Sequence, residues 1–198
     1  MAKEDWFESL DEELRKKTDE ITQDVGEQNT KKIDINKTLI ADFWRIWVRF
    51  NKINVHFTME PSHSQFAQFE EFPDQWHFKD RFDFSSINKI TFIDRTQEQG
   101  RIGDSLNLRY YNIDKTIHLR MVFEFCEGEH YYKYSGWKRI FGQYVLYDAE
   151  LSKVSLSKIH EALADVIRVW YESHLRRNRE IIINHIKEKY EKGETFTQ

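Results

Sequence analysis

The chain has 198 residues, room for one domain with a proper core and short for two. A formal charge of −4 argues against a strongly electrostatic nucleic-acid binder, while 39% hydrophobic and 32% charged residues fit a soluble globular protein. The lone cysteine, Cys126, excludes an intrachain disulfide framework and fits a reducing compartment. The N-terminus MAKEDWFESL is acidic with no apolar core, and no run of about 18 apolar residues occurs. A cytoplasmic protein with no membrane span is the expectation. Aromatic residues make up 15%, so the core is built largely on rings; Gly and Pro together number only nine, which predicts long elements.

Residues 3 to 25 read as an acidic amphipathic helix, with Phe7, Leu10, Leu14, Ile21 and Val25 at helical spacing and Gly26 at the position of a C-terminal cap. Residues 1–25 are taken as a helical arm of charge −5, and the polar stretch 26–33, GEQNTKKI, as a linker. A single α+β domain is expected over 34–198. Its first helix starts with Asn36 as N-cap and presents Leu39, Ile40, Phe43, Trp44, Trp47 and Phe50. A strand follows, with Ile53, Val55, Phe57 and Met59 alternating with polar residues. Pro61 to Pro73 encloses a Phe-dense loop or short helix, and residues 74 to 86 read as an edge strand or irregular segment. Strands are expected at 89–94, 105–111, 117–126, 130–135 and 143–151, with turn signals at Gln99-Gly100, Asn112 to Lys115, Glu127-Gly128 and Gly142.

The Gly- and Pro-free run from Gln143 to Lys192 predicts a helix over about 156–192. One stripe, Leu156, Ile159, Leu163, Val166, Ile167 and Trp170, gives way past Trp170 to a second one, Leu175, Ile182, Ile186 and Tyr190. The helix therefore either extends beyond the domain or bends near 176–179. The predicted fold class is α+β: an antiparallel sheet of about five to six strands, helices at both ends of the chain, and the C-terminal helix packed on one face. This order of elements resembles helix-grip folds, which implies a curved sheet and carries little functional weight.

No catalytic motif appears, and neither a cofactor nor a metal is implied. The eight histidines make no close ligand pair, and the turn Cys126, Glu129, His130 lacks a fourth zinc ligand. Three functional readings remain. The first is a non-enzymatic binding or regulatory module that forms a homodimer or docks a protein through its terminal helices, by Leu175, Ile182, Ile186 and Tyr190 at one end and Phe7, Leu10 and Leu14 at the other. The second is a small-ligand site or enzyme on the polar face of a curved sheet, where Arg109, His118, Arg120 and Glu124 would bind an anion or exchange a proton. The third is nucleic-acid binding through Arg176, Arg177 and Arg179.

Overall fold

The computed structural model describes residues 6–60, 67–68, 77–78, 83–96, 103–114 and 116–197. The Phe-dense loop after Pro61, most of the 74–86 segment, the Gln99-Gly100 turn and the side chains of Phe7 and Leu10 lie outside them. The fold is α+β. Helix α1 (Trp6–Asn51) leads into β1 (Phe57–Glu60), then a short pair, β2 (Ala67–Gln68) with β3 (His77–Phe78). Strands β4 (Lys89–Asp94), β5 (Ser105–Ile113), β6 (Thr116–Tyr132) and β7 (Gly136–Glu150) follow. The chain ends with α2 (Leu156–Leu175), α3 (Glu180–Lys189) and β8 (Glu191–Thr197). Six strands form one antiparallel sheet in the order β1-β4-β5-β6-β7-β8.

Alternation dictates the packed face. Leu106 and Leu108 of β5 and Leu119, Met121, Phe123 and Phe125 of β6 are buried with Phe92 of β4. Against them lie Leu39, Phe43 and Phe50 of α1, Ile159, Leu163, Val166 and Trp170 of α2, and Ile182 and Ile186 of α3. The indole of Trp170 is the hub: its centroid lies 4.9 Å from both Phe57 and Phe123, and Phe50 and Phe92 close the ring of contacts. The body of α1 and α2 cross this face in the same direction, since Asp42 meets His160 and Phe50 meets Trp170 and Tyr171.

The expected linker at 26–33 is helical, part of one 46-residue helix. Gly26 costs a helix interior about 1 kcal/mol, which the surrounding turns outweigh. Thr18, Thr22 and Thr30 each donate to the carbonyl four residues back, which satisfies their hydroxyls within the helix at a small cost in helix stability. Asn36 is not an N-cap. It is fully buried in mid-helix, its amide donating to Phe84 and Ile87 carbonyls and its Oδ1 accepting from Tyr110 Oη at 3.0 Å.

Two predicted turns are strand. Glu127-Gly128 sits inside β6 at a register shift between Cys126 and Gly128, and the reversal comes later, at Lys133–Ser135. Gly142 lies inside β7 because a Cβ there would stand 2.5 Å from Glu127 Cδ; the bare backbone makes room for that carboxylate, which accepts from Tyr144 Oη at 2.7 Å. The tail beyond Lys189 is β8, not helix, and pairs with β7.

Both major helices end the same way. After α1, Val55 N–H bonds Phe50 O and Asn54 N–H bonds Asn51 O, with Asn54 at φ 59°. After α2, Asn178 N–H bonds Ser173 O and Arg177 N–H bonds His174 O, with Arg177 at φ 50°. Each is a Schellman cap with a left-handed residue in the usual glycine position. The second cap explains the change of stripe. It rotates the chain so that α3 starts a new phase, and Ile182, Ile183 and Ile186 return to the same core.

Candidate functional site

The four residues expected to bind a ligand fall into two closed groups on the outer face of the sheet. Arg109 donates to Gln143 Oε1 at 3.2 Å, and Gln143 Nε2 donates to Glu124 Oε1 at 2.6 Å. Burial pushes the Glu124 carboxyl above its usual range, with Lys89 and Arg109 pulling against it. His118 and Arg120 converge instead on Asp148: Arg120 Nε lies 2.8 Å and His118 Nδ1 3.7 Å from its carboxylate, which also accepts from Tyr111 Oη. Each polar group is answered by a neighbour on the sheet, which is how cross-strand charge pairs behave. Gln143 and Asp148, which complete the two groups, escape a reading of the sequence because they lie on β7 and reach β6 only through the register.

The expected C-terminal seam is largely internal. Ile182 and Ile186 are fully buried in this chain's own core, and Tyr190 Oη donates to Asp165 at 2.8 Å. Only Leu175 of that set stands out, 59% exposed. The seam is thus the contact of α3 with α2 and the sheet. Asp165 is its clasp, meeting Lys189 Nζ at 2.8 Å and His185 Nε2 at 2.7 Å. Burial alone would raise the Asp165 pKa; these three partners outweigh it and hold it at about 2, from an ordinary 3.8. A depressed carboxylate stabilises above its unfolded pKa and loses that contribution as pH falls through the folded value. Asp165→Asn is therefore expected to lower the urea midpoint near pH 6 by an amount equivalent to about 2 kcal/mol. The gap to the parent should close between pH 4 and 2; a gap unchanged near pH 2 would mean the clasp acts by shape alone.

A polar site lies where the ends of α1 and α2 meet the sheet. A cavity of about 510 Å³ is lined there by Asp94, Asp104, His174 and Arg179, with Asn54 and Arg177 of the two caps. Asp94 is fully buried. One of its oxygens takes two hydrogen bonds from Thr96, and the other lies 3.0 Å from His174 Nε2 without hydrogen-bond alignment. Burial works to raise the Asp94 pKa, but the His174 and Thr96 contacts prevail and lower it. Asp104, 2% exposed, is gripped at both oxygens by Arg179, Nε standing 2.9 Å from Oδ2. Burial pushes the Asp104 carboxyl up, against the pull of Arg179. Gly103 is required beside it, since a Cβ would sit 1.8 Å from Asp94 O.

This site lacks a ready nucleophile. Ser173 Oγ donates to Trp170 O, and Thr96 Oγ1 donates to Asp94. Its two carboxylates are answered by an imidazole and a guanidinium arriving from the α2–α3 junction. The arrangement latches the helix ends to β4 and β5. Among the described residues no three His, Cys, Asp or Glu side chains converge as a metal site; in the CEGEH stretch of β6 Glu129 meets Arg139 and Cys126 Sγ donates to Gly128 O. Of the three arginines expected to meet nucleic acid, Arg176 pairs with Glu172 and Arg179 with Asp104.

Two exposed surfaces stand out among the described residues. The first is the N-terminal half of α1: every described side chain from Glu12 to Thr30 is exposed, Leu14 at 53% and Val25 at 52%. The helix is tied to the body at Lys31, which donates to Ser152 O, and at Lys32, which donates to Ser85 O. The second is the tip of the β6–β7 hairpin, with Tyr134 94% and Trp137 70% exposed. They overhang opposite ends of the sheet, because β5 pairs with β6 only as far as Glu124 whereas α1 enters near the end of β7. Among the described residues no helix is long and apolar enough to cross a membrane. No family model, curated protein or solved structure matches the chain.

Proposed function

We propose that this protein is a non-enzymatic assembly module, a homodimer joined through the N-terminal half of α1. The observation that carries this reading is the exposed arm. Some 25 residues of helix, roughly 37 Å at 1.5 Å per residue, leave the body with Leu14 and Val25 in water. Helices in proteins draw most of their stability from packing an amphipathic face, and an apolar stripe left in water favours association. The engaged hydroxyls of the polar cavity weigh against hydrolytic catalysis, and the single thiol at Cys126 suits a cytosolic setting.

Light scattering on the eluting full-length protein tests the reading. The expected mass is twice the 24.2 kDa of one chain, and Leu14→Glu with Val25→Glu should return it to one chain mass. A parent protein that is monomeric at about 100 µM, well above any micromolar Kd, would remove the reading.

A further inference from the structure

Resting on that self-association, we propose that the arm of each copy seats in the groove between α1 and α2 of the other. The groove is a shallow hollow of about 460 Å³. Ile46, Ile167 and Tyr171 form its apolar floor, and Arg45, Arg49 and Arg168 stand around it. Two helices lying side by side offer a third helix a ready channel, the usual way an amphipathic helix is received.

Charge selects the occupant. From Trp6 to Thr30 the arm carries eight acidic and three basic residues. Glu12 and Glu13 are paired to Lys16 and Lys17 within the arm, while Asp19 and Asp24 meet no cation among the described residues. On the groove side, Arg45 reaches Asp42 only at 3.5 Å, and Arg49 and Arg168 meet no carboxylate among the described residues. An acidic helix with an apolar stripe thus faces an apolar floor ringed by guanidinium groups. The hairpin tip is the weaker seat: it projects instead of receiving, and its Arg139 already meets Glu129 at 3.4 Å.

The arm cannot fill its own groove. Arg45 and Arg49 belong to the same uninterrupted helix, and a rod does not fold back on itself. A second copy satisfies the geometry twice. Let two α1 helices run antiparallel and cross near residue 33: residues 16–21 of each then lie beside 45–50 of the other. Asp19 and Asp24 come within a turn or so of Arg49 and Arg45. The separation from the crossing to the groove is about 14 residues, or ~20 Å, well within the length of the arm. The contact is isologous and closes as a dimer.

Charge exchange in the full-length chain tests the seat, with sedimentation equilibrium as the readout. Arg45→Glu with Arg49→Glu should raise the dimer Kd by about tenfold or more, and adding Asp19→Lys with Asp24→Lys to that same chain should restore it to near the parent value. These four side chains are exposed, so melting temperatures should stay close to the parent. If the groove variant dimerises like the parent while Leu14→Glu with Val25→Glu does not, the arm docks elsewhere and the seat is wrong. Should the groove variant weaken the dimer and the fourfold exchange fail to recover it, the pairing of those charges is wrong. If the Leu14 and Val25 substitutions change nothing, the assembly reading itself falls.

Discussion

Trp170→Ala is expected to cost about 3–5 kcal/mol, the range for removing a large buried aromatic side chain. Trp170 is 1% exposed and meets elements distant in sequence: Phe50 of α1, Phe57 of β1, Phe92 of β4 and Phe123 of β6. Rings around it lock one another in place, Phe57 stacked on Phe92 at 4.1 Å, so the hole cannot close by the shift of one neighbour. The cavity and the lost transfer energy therefore both count in full. For a chain of this length the melting temperature should fall by roughly 10–15 °C. Trp137→Ala is the comparison. At 70% exposure on the hairpin tip it should stay within about 0.5 kcal/mol of the parent. Thermal scans of the two variants side by side check the assignment, and similar losses in both would mean Trp170 is not the hub.

Residue periodicity makes the sheet legible in advance, and for a physical reason. Helices cover one face, so Leu119, Met121, Phe123 and Phe125 alternate with His118, Arg120 and Glu124, and Val122, buried beside a register shift, is the exception. The stripe from Ile159 to Trp170 is legible on the same ground. Residues with two physical uses mislead. Asn36 has the right chemistry for a cap but serves as a buried polar knot, and Gly142 has the right chemistry for a turn but clears space for Glu127. The second stripe at Leu175 and Ile182 resembles a surface for another chain. A left-handed residue at Arg177 resets the phase, and no local pattern announces an arginine in that conformation.

The polar sites are the least legible part. Asp104 and Arg179 stand 75 positions apart, and Asp94 meets His174 only because two Schellman caps bring the helix ends over β4 and β5. Nothing in the spacing of those residues points to their meeting. The outer-face residues Arg109, His118, Arg120 and Glu124 are placed on one face by alternation alone. Whether they form one site depends on Gln143 and Asp148, whose register divides them into two.

Arg179→Met should destabilise the protein by about 3–5 kcal/mol, because it leaves the Asp104 carboxylate buried without its paired guanidinium. The size of that loss measures the stranded charge more than the worth of the pair. Asp104→Leu combined with Arg179→Met removes both partners, and the double variant should recover most of the loss, ending within about 1–2 kcal/mol of the parent. The pH dependence separates the two contributions. Burial already raises the Asp104 pKa above 3.8, and losing Arg179 raises it further. A carboxylate with a raised folded pKa destabilises the fold above that pKa, and the penalty fades as pH falls back toward the unfolded value. The deficit of Arg179→Met should therefore shrink in acid, while that of the double variant, which has lost the Asp104 titration the parent keeps, should grow slightly. If the double variant remains as unstable as the single one, the guanidinium acts mainly through its contact with the Phe125 ring and the Cys126 carbonyl. In that case the α2–α3 junction is held by packing on β6, and the buried ion pair contributes little to it.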